Sequence, residues 1–343
     1  MMPQKILAGT MSSDTKPRSI LIIQPGSLAD VVHTLPAIAL LREAHPQAKI
    51  TWVINPDLAP LLRGNPDINH VHFTSRGELR GLGGHASFVA WARKTRELRP
   101  DLALDFHGTI GSALTAKISG AKNALGIRRA ILGPGWLHRR SVRVDRHTHP
   151  VESNLKLAEC AGATIGEGLR CSVPSGDPLP RFDPHPPFVL LHPFARRQER
   201  SLSKAVIEGF CRLLAPTRVV VVGQLHRKIS TPENCVDLTR QTSLLQLVWL
   251  IRLARFIVSV ESGPMHLAAA LTGNLLSIHT WTDPHAMGPY NPEAWVWKHG
   301  QLSRVGELDA LRLPKHGRRF KRKDVESVVE LIRPLVPIDP MVA

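Results

Sequence analysis

The sequence predicts an α/β protein made of two doubly wound domains. Three observations predict it. Strand-sized apolar runs alternate with helical segments twice over, and a proline-rich stretch at 175–187 separates the two series. The run Val260-Glu-Ser-Gly-Pro-Met-His-Leu-Ala-Ala-Ala270 passes from an apolar strand through a small-residue turn into a helix, a junction at which α/β sheets hold phosphate.

The first series opens with a strand over 19–24, followed by a helix over 28–43, a strand over 49–54, a short helix over 57–63 and a strand over 70–74. A helix over 88–98, a strand over 102–106, a helix over 110–119, a strand over 123–126 and a helix over 151–160 complete it. The prolines between Ser175 and Pro187 exclude regular helix and central strand, which makes that stretch a linker. The pattern then restarts with strand 188–192, helix 204–214, strand 218–222, helix 244–254, strand 256–260, helix 264–271 and strand 275–280. A helix over 323–335 ends the chain. The expected organisation is a flexible extension (1–18), a first domain (19–174), the linker (175–187), a second domain (188–322) and a C-terminal helix with tail (323–343).

Composition bounds the function classes. The 343 residues are 43% hydrophobic, ample for two cores, and no apolar run approaches the roughly 20 residues of a membrane-spanning helix. The polar N-terminal segment lacks a secretory signal, and four dispersed cysteines without a Cys-x-x-Cys pair read as reduced thiols in a cytoplasmic protein. The formal charge of +16 points to an acidic partner: anionic lipid, phosphorylated glycolipid or nucleic acid. Arginine clusters lie at Arg128-Arg129, Arg139-Arg140 with Arg143 and Arg146, Arg196-Arg197 with Arg200, and Arg318-Arg319, the last followed by Lys321-Arg322-Lys323; solvated faces are the plain alternative. Nucleic acid ranks last, because aromatic residues make up only 5% of the chain and no aromatic sheet motif or zinc finger occurs.

Ligands of open α/β sheets bind beyond the carboxyl ends of the strands. The candidates there are Gln24-Pro-Gly-Ser-Leu-Ala-Asp30 and Asp105-Phe-His-Gly108 in the first domain, and Glu261-Ser-Gly-Pro-Met-His266 in the second. Asp30 is placed to take a proton from an acceptor hydroxyl, while Ser27 and Asp30 equally have the spacing of a capping box. His107 is either a polar ligand contact or a satisfied histidine at a strand end. Ser262, with Gly263 permitting close approach, either binds a pyrophosphate or simply caps its helix, and in the second case His266 is a surface residue. A loose dinucleotide fingerprint at Gly81-x-Gly83-x-x-Ala86 follows no buried strand, and nucleophile-elbow, Walker and zinc-protease motifs do not occur.

The stretch Ile20-Leu-Ile-Ile-Gln-Pro-Gly-Ser-Leu-Ala-Asp-Val-Val-His-Thr-Leu-Pro-Ala37 resembles the opening motif of glycosyltransferase family 9, the ADP-heptose lipopolysaccharide heptosyltransferases. Thr51-Trp-Val-Ile, Leu58-Ala-Pro-Leu-Leu62, Leu104-Asp-Phe-His-Gly108, Ser259 to Ala270, Thr282-Asp-Pro and Gly288-Pro-Tyr290 extend the resemblance over about residues 19–295. It implies a GT-B fold, two Rossmann-like domains facing a central cleft, with inversion at the anomeric carbon and no metal ion. By position it makes Asp30 the general base and sets Ser262, Gly263 and His266 at the donor pyrophosphate. Arg200 aligns with the family's lysine, and Glu261 with an aspartate that helps hold the donor.

This sequence departs from the family pattern where Phe194 replaces a glycine, Leu202 a tryptophan, Ala29 a glycine and His107 a common glutamine. The resemblance implies transfer of a heptose from ADP-heptose, used as a co-substrate with no cofactor, to an anionic glycolipid such as the lipopolysaccharide inner core. Ser27, His107, Arg128 and Arg140 are the expected acceptor contacts. The expected location is cytoplasmic, with peripheral contact at the anionic inner membrane face. The alternatives are another nucleotide-sugar or acceptor, or a non-catalytic sugar-nucleotide or nucleic-acid binder.

Overall fold

The computed structural model describes residues 16–74, 82–128, 140–145, 147–166, 168–224, 232–310 and 317–336. The chain divides into two compact units, residues 1–173 and 174–343. Most of the expected N-terminal extension, 1–15, lies outside the described residues, but Arg18 is tied down by its amide, which donates to Asp101 Oδ2 at 2.9 Å.

The first unit is a six-stranded sheet of β1 (Ser19–Ile23), β2 (Lys49–Ile54), β3 (His70–Phe73), β4 (Leu102–Asp105), β5 (Asn123–Arg128) and β6 (Arg140–Arg143), in the order β3-β2-β1-β4-β5-β6. All its pairings are parallel. Parallel strands are covered on both faces, which is why β1, Ser-Ile-Leu-Ile-Ile, is apolar almost throughout. Helix α1 (Leu28–Ala44) is buried from Val31 to Leu41 and packs on α4 (Pro150–Cys160). Asn154 of α4 donates to His33 O and Thr34 Oγ1, both at 3.0 Å. Helices α2 (Leu82–Glu97) and α3 (Ile110–Ile118) complete the unit. Gly83 and Ala86 fall inside α2, so the loose dinucleotide fingerprint has no strand-to-helix turn there; Gly81 lies outside the described residues.

The second unit repeats the same winding. Its strands are β7 (Phe188–His192), β8 (Arg218–Val221), β9 (Cys235–Asp237), β10 (Phe256–Val260), β11 (Leu275–His279), β12 (Trp295–Lys298) and β13 (Gln301–Arg304). The order is β13-β12-β11-β10-β7-β8-β9, which from β9 to β12 reproduces the order of the first sheet and adds β13 as an antiparallel edge. Helices α5 (Lys204–Leu214), α6 (Leu244–Leu253), α7 (Gly263–Ala269), α8 (Pro284–Met287) and α9 (Arg322–Ile332) connect and cover it. The buried stripe Val206, Ile207, Phe210, Cys211 and Leu214 of α5 meets Val325, Val328, Val329 and Ile332 of α9, the 3.6-residue period that drives helix packing. Residues 175–187 contain no helix or strand.

The elements depart from expectation at their margins. The short helix at 57–63 is a 3₁₀ turn, Pro56–Leu62, and α2 begins six residues before the expected helix. Four strands, β6, β9, β12 and β13, were not anticipated.

Candidate functional site

Each sheet reverses its strand order once, and each reversal gathers polar side chains at the carboxyl edge. In the first unit the reversal lies between β1 and β4. Gly26, at φ +91°, turns the chain out of β1, and Gly108, at φ +69°, does so after β4. Gly108 is confined as well, since a Cβ there would stand 2.9 Å from Ile127 O. Asp105 is fully buried and holds the second loop: Oδ1 accepts from the amides of His107 and Gly108 at 3.0 and 2.9 Å, and Oδ2 accepts from Ser112 Oγ at 2.9 Å.

A hydrogen bond joins the two loops. His107 Nδ1 is 3.0 Å from Gln24 Oε1, so Nδ1 carries the proton and Nε2 is the acceptor. The strand-end reading of His107 and the ligand reading thus use different nitrogens. Gln24 is itself fixed by Trp52 Nε1, which donates to its carbonyl at 2.9 Å.

Asp30 forms the capping box that its spacing allows. Oδ2 accepts from Ser27 N at 3.0 Å and from Ser27 Oγ at 2.8 Å. Oδ1 makes no hydrogen bond among the described residues. Capping consumes one oxygen and leaves the other for chemistry, so the two readings of Asp30 are compatible.

The arginines resolve differently. Arg128 ends β5 at the level of His107, as the register Asp105↔Gly126 requires, and its register partner on β6 is Arg143. Arg140 pairs with Leu125 at the start of β6, about three strand residues, or ~10 Å, back from the carboxyl edge. Arg143, rather than Arg140, therefore stands level with Arg128. The sequence placed both in one basic cluster, and only the register separates them. Arg129 and Arg139 lie outside the described residues, and so does Arg146.

In the second unit the reversal lies between β7 and β10. Ser262 precedes α7 in extended backbone, yet its side chain caps no helix amide. Instead Ser262 Oγ donates to Val260 O at 3.0 Å and lies 3.2 Å from His192 Nδ1 and 3.3 Å from Ser259 Oγ. The simple-cap reading of Ser262 is thereby overturned. The amides of Ser262 and Gly263 make no hydrogen bond among the described residues. His192, buried at the end of β7, is pushed down to about 4 by that burial and stays neutral near pH 7. His266 is 4% exposed within α7, which excludes the surface reading; Ala270 N donates to its carbonyl at 3.1 Å.

Glu261 is held on both oxygens. Arg200 Nη1 donates to Oε1 at 3.0 Å, and Thr282 Oγ1 donates to Oε2. His279 Nδ1 lies 3.1 Å from Thr282 Oγ1 and donates there, because Thr282 gives its own proton to Glu261, and Nε2 lies 3.0 Å from Ser277 Oγ. Burial, reinforced by Lys298, drives His279 down to about 3, so this chain is neutral up to Glu261. Lys298, 3% exposed, donates to Thr282 O at 3.0 Å; burial lowers its pKa against the pull of Asp283 and Glu261. Sequence reasoning missed His279, Lys298 and His192 as members of this network. Their signal was position at strand ends, which chemistry-bearing motifs had not marked.

Two departures from the family pattern prove to be packing changes. Phe194 and Leu202 are 5% exposed and belong to the second core. Phe194 rests on Gly223, where a Cβ would stand 2.5 Å from its ring. Among the described residues no group of three or more His, Cys, Asp or Glu side chains is arranged to hold a metal, and no helix is long and apolar enough to cross a membrane.

The model of glycosyltransferase family 9 (heptosyltransferase) matches residues 216–310. Lipopolysaccharide core heptosyltransferase OpsX of Haemophilus influenzae is 22% identical, the match covering 80% of this chain and 82% of that one. Lipopolysaccharide heptosyltransferase 1 of Escherichia coli K12 is 23% identical, covering 81% and 92%. Among solved structures, E. coli heptosyltransferase WaaC with ADP superposes with a TM-score of 0.70 at 18% identity, covering 91% of this chain and 99% of that one. E. coli ADP-heptose lps heptosyltransferase II gives 0.70 at 20% identity, covering 93% and 98%. These likenesses identify the two Rossmann-like units as the GT-B fold.

Proposed function

We propose that the chain, as a divergent member of glycosyltransferase family 9, transfers a heptose from ADP-heptose to an anionic glycolipid of the lipopolysaccharide inner core. The observation that carries the donor half of this reading is Ser262. Its hydroxyl is withheld from the helix start, and its amide and that of Gly263 are left for an anion.

In this reading the acceptor hydroxyl attacks the anomeric carbon as the bond to the diphosphate breaks, and the configuration inverts. The acceptor proton passes to Asp30 Oδ1. Negative charge grows on the departing ADP, where the Ser262 and Gly263 amides and the Arg200 guanidinium stabilise it more than they stabilise the ground state. Arg200 Nε and Nη2 make no hydrogen bond among the described residues, so the planar fork can serve a phosphate while Nη1 stays on Glu261. The arginine supplies the cation in place of a metal ion. Arg128 and Arg143 meet the acceptor's phosphates, and the protein works at the cytoplasmic face of the anionic membrane.

Calorimetric titration with ADP-heptose, and with UDP- and GDP-sugars as controls, tests the donor in EDTA. Selective binding of ADP-heptose supports the reading. Preference for another nucleotide would discard the donor while keeping the fold, and binding of none would point to lost catalysis.

A further inference from the structure

The stretch Arg318, Arg319, Phe320, Lys321 is fixed from within the second unit. Arg318 N donates to Thr280 O at 2.9 Å, and its guanidinium donates to Asp324 Oδ1 at 2.7 Å while lying 5.4 Å from the centre of the Trp297 ring. Phe320 is buried edge-on against Trp297, 4.7 Å between centroids, and stacks on Phe210 at 5.9 Å. The intervening side chains are exposed: Arg319 and Lys321, then Arg322 at the first residue of α9, line a cavity of about 680 Å³. A rigid segment therefore presents three cations to one concave surface.

Their charge is not cancelled locally. Asp324, the nearest carboxylate in sequence, is committed on Oδ1 to Arg318 and on Oδ2 to Lys321 N at 2.8 Å. Arg319, Lys321 and Arg322 form no ion pair among the described residues, and Glu199 is the one acidic side chain in the lining. The lining also carries hydroxyls. Thr280 lines the cavity at 6% exposure, and its hydroxyl has no hydrogen-bond partner among the described residues. Ser203, exposed at the start of α5, gives its side chain to no helix amide. Cations without a carboxylate partner, beside hydroxyls open to the cavity, form a lining whose charge and donors complement an anion. Leu202, buried in the second core, lines the cavity at the position where the family motif carries tryptophan.

We propose that this cavity is a second anion site, one that takes a phosphate-bearing group, a phosphosugar or a phosphorylated glycan, separately from the nucleotide diphosphate assigned to Ser262. Charge-assisted bonds from the arginines would hold the phosphate, and Thr280 and Ser203 would meet phosphate or sugar oxygens. The site stands on its own lining and does not depend on the donor's identity.

The test titrates the full chain with inorganic pyrophosphate at low salt, with and without saturating ADP, for wild type, R319E/R322E and Leu202→Trp. Thermal midpoints confirm that each variant is folded. The expected result is one pyrophosphate bound per chain in the presence of ADP, weakened about tenfold or more by the charge reversals and lost when tryptophan fills the cavity. Absence of pyrophosphate binding, equal binding by R319E/R322E, or full displacement by ADP would each overturn the proposal. ADP binding is read in the same titrations, so a failure of the donor reading is seen separately. Competition then distinguishes the source: displacement by a free sugar phosphate identifies a soluble metabolite, and displacement only by a phosphorylated glycolipid identifies the acceptor.

Discussion

Arg200 and Glu261, 61 residues apart, meet at 3.0 Å through a single guanidinium nitrogen. The contact sets the direction of the arginine without exhausting its donors. It also explains how a glutamate, one methylene longer than the family's aspartate, is accommodated: Thr282 takes its second oxygen.

Arg200→Ala is expected to lower kcat by about 100-fold, the scale of one lost transition-state donor. Glu261 is only 10% accessible and would lose its guanidinium partner, so the substitution should also lower stability, by about 1–3 kcal/mol. Steady-state kinetics beside a denaturant titration checks both. An unchanged kcat would remove Arg200 from the reaction.

Asp30→Asn and Asp30→Ala separate base from cap. Both should lower turnover by about 10²- to 10⁴-fold. Only the alanine variant abolishes the acceptor used by Ser27, at a cost of about 1 kcal/mol, whereas the asparagine oxygen can still accept from Ser27. Turnover retained in Asp30→Asn would mean that the carboxylate is a cap and nothing more.

The second unit should lose stability on acidification before carboxylates titrate. His192 and His279 are held at about 4 and about 3, against an ordinary value of 6.5 in the unfolded chain. Below 6.5 the unfolded chain therefore binds more protons than the folded one, and stability that is complete above that pH falls as pH drops towards 4. Thermal midpoints measured from pH 7 to pH 4.5 should decline, and His279→Asn should flatten the decline. Equal slopes in the two proteins would contradict this account.

Gly108→Ala should destabilise the first unit by about 1–3 kcal/mol, because alanine disfavours positive φ and its methyl would press on a backbone carbonyl. The loop shift should also displace His107 and raise the KM for the acceptor. A denaturant midpoint equal to that of the wild type would show that the turn relaxes freely.

How much of this was readable in advance follows from burial. β1, β4, β7, β10 and β11 are apolar along most of their length because parallel strands are enclosed on both faces, and their positions could be read from composition. β6, Arg-Ser-Val-Arg, is an edge strand whose polar residues look like a basic cluster, and β9 spans only Cys235–Asp237. The β12–β13 hairpin turns through His299 and Gly300, both at positive φ, with a histidine where asparagine or aspartate would have announced the turn. At the two sheet edges, Asp30 was visible through spacing and Ser262 through a strand-to-helix junction. His279 and Lys298 were not, since they act through Thr282, and that coupling exists only once β11 and β12 lie side by side.

The repeated strand order also defines where the protein can be divided. A cut after Val173 would pass between the two sheets and leave each topological reversal whole, with Asp30 and His107 on one fragment and Arg200, Glu261 and Ser262 on the other. Under the proposed reading the nucleotide site would lie wholly on the second fragment, so titrating that fragment alone with ADP would measure nucleotide affinity without the proton acceptor present.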